Sequence, residues 1–313
     1  MTTHPNSLVT ALTAGVQNLM QEVAQQSFPT GTLYVVATPI GNIADISLRA
    51  LHCLNLVNVI ACEDTRNTAQ LMTRYGLHKP LIAAHQHNER EVAEKIVQRL
   101  QAGERVALVS DAGTPGVSDP GAKIVDAVRA AGLPISPLPG PSAAISALSV
   151  SGLVQDQFYF VGFLAAKSGQ RERQLQPLVS LPATLIFYEA PHRIIETTEA
   201  LLAAFGAQRE IVFARELSKL FEEIARCRLG DAMAWLAEDK HREKGEYVIL
   251  LAGAAPADEA KDHEAQRILS ILLESCSVKQ AAQLAAQITG QKKNALYELA
   301  LTLKSGDGEE KVN

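Results

Sequence analysis

The segment Ser110-Asp111-Ala112-Gly113-Thr114-Pro115-Gly116-Val117-Ser118-Asp119-Pro120-Gly121 is the densest run of glycine, proline and short polar residues in the chain. It leaves the apolar stretch Val106–Ser110, of strand type, and enters the helical stretch Gly121–Ala131. In open α/β sheets ligands bind beyond the carboxyl ends of strands, and glycines there let a small molecule approach the backbone. A tight structural turn needs no more than a single Gly-Thr-Pro, so a run of this length favours a ligand loop. Two shorter loops share the placement: Thr38-Pro39-Ile40-Gly41-Asn42 and Pro139-Gly140-Pro141-Ser142-Ala143. Neither is a Gly-Lys-Ser/Thr phosphate loop or a GxGxxG dinucleotide turn. Three such loops on one sheet edge imply a cleft for an extended small molecule.

The elements that must carry these loops alternate. Leu33–Ala37 and Val57–Cys62 read as strands, with Asp45 as N-cap of a helix Ile46–Leu54 between them. Val92, Ile96 and Leu100 recur at helical spacing ahead of Val106–Ser110, and Ala143–Ser149 follows the third loop as a small-residue helix. That order predicts an α/β domain with a largely parallel sheet, residues 31–152. The pattern restarts with strands Phe158–Phe163, Thr184–Tyr188, Glu210–Ala214 and Tyr247–Ala252 and helices Ile194–Ala204 and Asp231–Ala237, giving a second α/β domain over 153–255. Within it, Lys167–Arg173 reads as a mobile basic loop leading into a helix. The Ala-, Pro- and acid-rich stretch Gly253–Asp262 reads as a linker. Beyond it Ile268–Leu273, Val278–Ala286 and Leu296–Leu303 form a small helical module, residues 262–304, with helix-turn-helix spacing about Thr289–Lys293. Residues 1–30 are an N-terminal extension, in which Leu8, Leu12, Val16, Leu19 and Val23 predict one loosely docked amphipathic helix.

Nearly half the residues are apolar and a fifth charged, the composition of a globular protein, and the formal charge is −5. An acidic chain carries no general nucleic-acid coat, so any RNA contact must come from local basic patches. The C-terminal module supplies one. Over residues 261–304, Lys261, Arg267, Lys279, Lys292, Lys293 and Lys304 stand against Asp262, Glu264, Glu274 and Glu298, a balance of +2. Cys53, Cys62, Cys227 and Cys276 have neither CxxC nor Cys/His ligand spacing, so they read as reduced thiols and no metal is expected. No Lys or Arg precedes Arg49 and no apolar run is long enough for a bilayer, so the expectation is a cytoplasmic protein without membrane contact.

Several motifs in order resemble those of the ribosomal RNA small subunit methyltransferase I family, whose members are S-adenosylmethionine-dependent methyltransferases of tetrapyrrole-methylase type. They are Ala37–Asn42, Glu63-Asp64-Thr65-Arg66, His87-Asn88-Glu89, Ser110–Pro115, Pro139–Ser142, Phe187–Arg193 and Ala214–Lys219. The resemblance runs from Gly31 to Gly253, more loosely over the C-terminal helices, and leaves out residues 1–30. It implies two α/β domains with an inter-domain cleft for S-adenosylmethionine, a homodimer, and 2′-O-methylation of a cytidine in the decoding region of 16S ribosomal RNA in the 30S subunit. Matching the cofactor loops implies contacts from Ile40, Asp111, Thr114, Ser142 and Ala143, with Glu189 and Ala214 from the second domain.

Methyl transfer of that kind is an in-line displacement that needs alignment and dryness, plus a general base for a weakly nucleophilic hydroxyl. Glu63, Asp64, His87 and Glu89 are the base candidates, His87 having the intrinsic pKa nearest neutrality. Arg66 and Arg193 can bind RNA phosphates or pair with the adjacent Glu63–Asp64 or Glu189. Lys167, Arg171, Lys279, Lys292 and Lys293 are further phosphate candidates. Two rivals stay open: a methylase of a tetrapyrrole precursor or protein residue with the same cleft, and a nucleic-acid-binding regulator with a vestigial one.

Overall fold

Leu33–Val36 (β1), Val59–Cys62 (β2), Leu81–Ala83 (β3), Val106–Leu108 (β4) and Ile135–Leu138 (β5) pair into one sheet of order β3-β2-β4-β1-β5, all parallel. The computed structural model describes residues 5–153, 156–254 and 257–306. Parallel strands need both faces covered, and here they are. On one side Tyr34, Val36, Ile60 and Cys62 pack with Cys53, Leu54 and Met72. On the other, Leu33, Val59, Val106 and Leu108 pack with Ile96, Leu100, Ile124 and Val128.

The helices of this half are Pro5–Ala24 (α1), Leu48–Leu56 (α2), Thr65–Arg74 (α3), Glu89–Gln101 (α4), Ala122–Ala130 (α5) and Ala143–Ser151 (α6). Two depart from the sequence reading. Asp45 ends a short 3-10 turn and Ser47 caps α2 instead, its hydroxyl accepting from the Ala50 N–H, so the helix starts two residues late. The polar α3, capped by the Asp64 carboxylate, buries only Thr68 and Met72, a narrow face that the sequence reading passed over. Near its C-terminal end α1 buries Val23, while Leu12, Val16 and Leu19 are exposed.

The second sheet comprises Phe158–Phe163 (β6), Thr184–Glu189 (β7), Glu210–Arg215 (β8), Glu223–Arg228 (β9) and Tyr247–Leu251 (β10), in the order β6-β7-β10-β8-β9. Only β6 and β7 are parallel. Strand β9, which the sequence reading lacks, alternates half-buried and exposed residues at an edge, so its charges mask it. Helices Ser168–Leu175 (α7), Ile194–Phe205 (α8) and Ala232–Glu238 (α9) complete this half. Lys167–Arg173 is therefore not a mobile loop. Arg171 is buried in α7 and paired with Glu196 of α8.

Both sheets belong to one compact unit, residues 1–176 with 184–252. The second unit joins 177–183 to 253–313, and here the Ala254 N–H donates to the Leu181 carbonyl. Its helices Ala257–Leu273 (α10), Val278–Thr289 (α11) and Lys293–Gly306 (α12) bury Leu269, Ala282, Ala285, Leu296 and Ala300. Helix α10 starts inside the expected linker, whose residues 255 and 256 lie outside the described ones. A capping box of Ser277 and Gln280 opens α11, and Gly290 closes it in the left-handed conformation. Among the described residues no helix is long and apolar enough to cross a membrane.

Candidate active site

The three ligand loops follow β1, β4 and β5, which are adjacent strands, so their carboxyl ends converge by topology. Backbone bonds then knit them. The Thr38 N–H donates to the Gly113 carbonyl at 2.9 Å and the Gly113 N–H returns the bond at 3.0 Å. The buried Thr38 hydroxyl donates to the Ser110 carbonyl at 3.0 Å, and the Thr114 hydroxyl to that of Pro141 at 3.1 Å. Gly113 carries this bridge at φ +80°, a conformation costly for any residue with a Cβ.

These loops, with β7, β8 and β10, enclose a cavity of about 310 Å³. Among the described residues only Ser118, Glu216 and Ser218 are non-glycines with positive φ. Ser118 lines the cavity, and Glu216 and Ser218 flank Leu217, which also lines it. Backbone strain of this kind, about 1–3 kcal/mol per residue, tends to gather at functional sites. The 216–219 loop sits close on the first ligand loop: a Cβ on Gly41 would lie 2.5 Å from Lys219 Cγ and 2.8 Å from the Leu217 carbonyl.

Ile40, Asp111, Thr114, Ser142, Ala143, Glu189 and Ala214 all line this cavity. They are not equivalent. Asp111 is held in place, accepting from the Asp64 N–H at 3.2 Å and the Asn67 amide at 2.8 Å. Glu189 is buried and committed: its carboxylate accepts from the Ala190 N–H and the Thr197 hydroxyl and lies 3.5 Å from Arg193 Nε. It frames the wall.

None of the four base candidates from the sequence is among the side chains lining the cavity. Glu89 is a correction. Its buried carboxylate accepts from the Gly121 and Lys123 N–H groups at 2.8 and 3.1 Å and pairs with the Lys123 ammonium, tying the first turn of α5. Burial acts against the charge, but these partners outweigh it and hold its pKa below the usual carboxylate range. Asp64 caps α3 and takes the Arg66 guanidinium, which lowers its pKa to about 2, too acidic to accept a proton usefully. His87 is exposed, its ring 6.0 Å from that of His85. Glu63 is half-buried, and burial with the Asp111 charge pushes its pKa up, against the pull of His85.

The residue that sequence reasoning passed over is Asp119, which lines the cavity and is half-buried. Burial first, then the charges of Glu63 and Asp111, lift its pKa to about 6 against a smaller opposing pull from the Ser110 hydroxyl. Asp119 lies inside the quoted loop, but a carboxylate in an Asp-Pro turn reads as turn chemistry until its neighbours are seen. Tyr188 was missed as well. Its hydroxyl accepts from the Ala144 N–H at 3.1 Å, and its ring packs on Phe160 and Phe163 at the cavity wall.

The basic candidates divide. Arg66 pairs with Asp64 yet stays 86% exposed, and Lys167, Lys279, Lys292 and Lys293 are exposed. Arg171 is corrected: with 4% of its side chain exposed and Glu196 as partner, it has no face for a phosphate. Arg193 donates to the Leu164 and Ala165 carbonyls beside Glu189, which favours the ion-pair reading.

A model described as Tetrapyrrole (Corrin/Porphyrin) Methylases matches residues 32–233, and one described as RsmI C-terminal HTH domain matches 259–304. A ribosomal RNA small subunit methyltransferase I from Xylella fastidiosa (strain Temecula1) is 51% identical over 85% of this chain and 98% of its own. One from Escherichia coli O157:H7 is 48% identical over 87% and 95%. The chain belongs to the ribosomal RNA small subunit methyltransferase I family. The fold is shared more widely. The methyltransferase CobJ superposes with a TM-score of 0.55 at 22% identity, covering 72% of this chain and 95% of that one. A uroporphyrin-III C-methyl transferase from Thermus thermophilus, complexed with S-adenyl homocysteine, gives 0.50 at 18%, covering 71% and 97%. Membership of the family extends to the C-terminal helices, which the matched helix-turn-helix model covers.

Proposed function

We propose that this protein transfers the methyl group of S-adenosylmethionine to the ribose 2′-oxygen of a cytidine in the decoding region of 16S ribosomal RNA, acting on the 30S subunit in the cytoplasm as a homodimer. The observation that carries the reading is the cavity built by three interlocked loops in a chain about half identical to ribosomal RNA methyltransferases. The cavity suits the cofactor. Its volume falls in the range of small-molecule sites, Ile40, Val117, Ala143 and Phe163 offer apolar wall, and Asp111 offers negative charge to the cofactor. When bound, S-adenosylmethionine supplies an electrophilic methyl group on a positively charged sulfur.

The chain's own residues do the rest. Ile40, Thr114, Ser142, Ala143 and Ala214 shape the wall, and Asp111, fixed by Asp64 and Asn67, presents an oriented acceptor for a ribose or amino group. Enclosure by the 216–219 loop keeps water away, and alignment lowers the barrier by placing the acceptor oxygen in line. Glu189 and Tyr188 hold the second sheet's edge in place. Lys279, Lys292 and Lys293 on the helix-turn-helix, with Arg66 and Lys167, supply RNA phosphate contacts. Leu220 and Phe221, 89% and 68% exposed, are suited to burial against a second copy.

The test is mass spectrometry of nucleosides from 30S subunits of a strain lacking the enzyme, treated with protein and cofactor. A mass gain on a cytidine ribose is expected. A methyl on a base alone, or on porphyrinogens rather than RNA, refutes the reading.

A further inference from the structure

Methylation of a ribose hydroxyl requires a group that takes its proton, and the cavity wall narrows the choice. Its titratable side chains are Asp111, Asp119, Tyr188, Glu189, Lys219, Glu246 and Tyr247. Most are spoken for. Asp111 holds α3, Glu189 holds Thr197 and Ala190, and Lys219 bridges Glu216 and Glu246 at 2.8 Å to each. The Tyr247 hydroxyl donates to the Arg242 carbonyl, and the Tyr188 oxygen accepts from Ala144. Asp119 is left with only the nearby Ser110 hydroxyl, and that group also serves the Ala112 and Gly113 carbonyls. It adjoins Ser118, which is held at φ +61° and also lines the cavity.

We infer that Asp119 is the general base for the methyl acceptor and that Glu63, which follows β2, is a positioning residue for it. In the transfer the 2′-O–H bond breaks as the new O–C bond forms and the S–C bond opens. The proton passes to a carboxylate oxygen of Asp119 and leaves to solvent with the product, so charge and atoms balance. The groups that face Asp119 are Glu63 after β2, Ser110 and Asp111 after β4, and Tyr188 on β7. Two of the four, Glu63 and Asp111, are carboxylates, and no cation is among them. This like-charged setting suits a base that must be ionised at neutral pH yet still accept a proton.

The assignment rests on the methyltransferase reading, and one set of assays separates the two. Full-length wild type, Asp119→Asn and Glu63→Gln are compared on unmethylated 30S subunits with tritiated S-adenosylmethionine, across pH, alongside calorimetric cofactor binding and thermal melts. Asp119→Asn is expected to lower turnover by about 10²–10⁴-fold with cofactor affinity within about threefold. The acidic limb of the wild-type kcat/KM profile, expected near pH 6, should vanish in Asp119→Asn. In Glu63→Gln it should move to lower pH, which a purely structural role for Glu63 would not cause, and this shift decides the matter if Asp119→Asn fails to fold. Wild-type turnover by Asp119→Asn, a loss confined to cofactor affinity, or an acidic limb unmoved in Glu63→Gln overturns the assignment alone. A wild type that puts no methyl on ribose overturns the function, and this assignment with it.

Discussion

The two sheets of the large unit handle charge in opposite ways. Around the second sheet, two large cations, Arg215 and Arg242, are met by several partners each. Arg215, only 9% exposed, donates to the Lys244, His241 and Phe221 carbonyls and meets Glu223. Arg242 stacks on Trp235 and pairs with Glu223 and Glu238. Beyond the first sheet, Glu63, Asp111 and Asp119 gather at strand ends with no cation set against Asp119. Saturated charge is scaffold, because removing one partner strands the others. Charge crowded with its own sign costs stability and is kept where chemistry uses it.

Breaking the scaffold side should have the largest effect. Arg215→Ala removes a nearly buried guanidinium together with its charged hydrogen bonds to the Lys244, His241 and Phe221 carbonyls and its ion pair with Glu223, and is expected to cost about 3 kcal/mol in urea unfolding of the full chain. A cost under about 1 kcal/mol would mean that water replaces the guanidinium and that the contrast is overdrawn.

The crowded side should respond with the opposite sign. Asp119 has a folded-state pKa of about 6 against an unfolded value of about 4, so the folded chain holds more protons between them and stability falls as pH rises through that window. Above it the charged carboxylate is a burden, so Asp119→Asn should stabilise the protein by about 1–2 kcal/mol at pH 7.5, allowing for solvent screening. Near pH 4 the gain should vanish. Equal stability of the two proteins at pH 7.5 would show Asp119 to be well compensated.

The smallest effect sharpens the distinction. Arg66 is an exposed partner of Asp64, so Arg66→Ala should leave the melt unchanged. If it contacts a phosphate, RNA binding should weaken uniformly and its salt slope should fall by about one. A lower melt with unchanged RNA affinity would assign Arg66 to the cap of α3.

The difference between the halves also explains what could be read without coordinates. Loops rich in glycine and proline after parallel strands declare themselves, because their backbone conformations demand particular residues. Thus the cavity residues Ile40, Asp111, Thr114, Ser142 and Ala143 stand in the sequence itself. The state of a carboxylate does not. Glu89, Asp64 and Asp119 are the same functional group, and only three-dimensional neighbours make one a cap for α5, one a guanidinium partner and one an unpaired acid. Arg171 makes the point for cations, since within an otherwise exposed basic run it alone turns inward to meet Glu196. Edge strand β9 and polar helix α3 were hidden because most of their residues are polar or charged and only a narrow face turns inward.

The central claim is that the loop-knit cavity is the cofactor site, and filling it tests that most directly. Ala143 opens α6 at the cavity wall and takes no part in the backbone ties between the loops. Calorimetric titration of S-adenosylmethionine into wild type and Ala143→Trp, both in EDTA and both checked by thermal melting, is the measurement. Wild type should bind, and Ala143→Trp should lose at least about 100-fold in affinity, or about 2.7 kcal/mol, with its melt within a few degrees. Equal affinity in a folded Ala143→Trp would place the cofactor elsewhere and contradict the account.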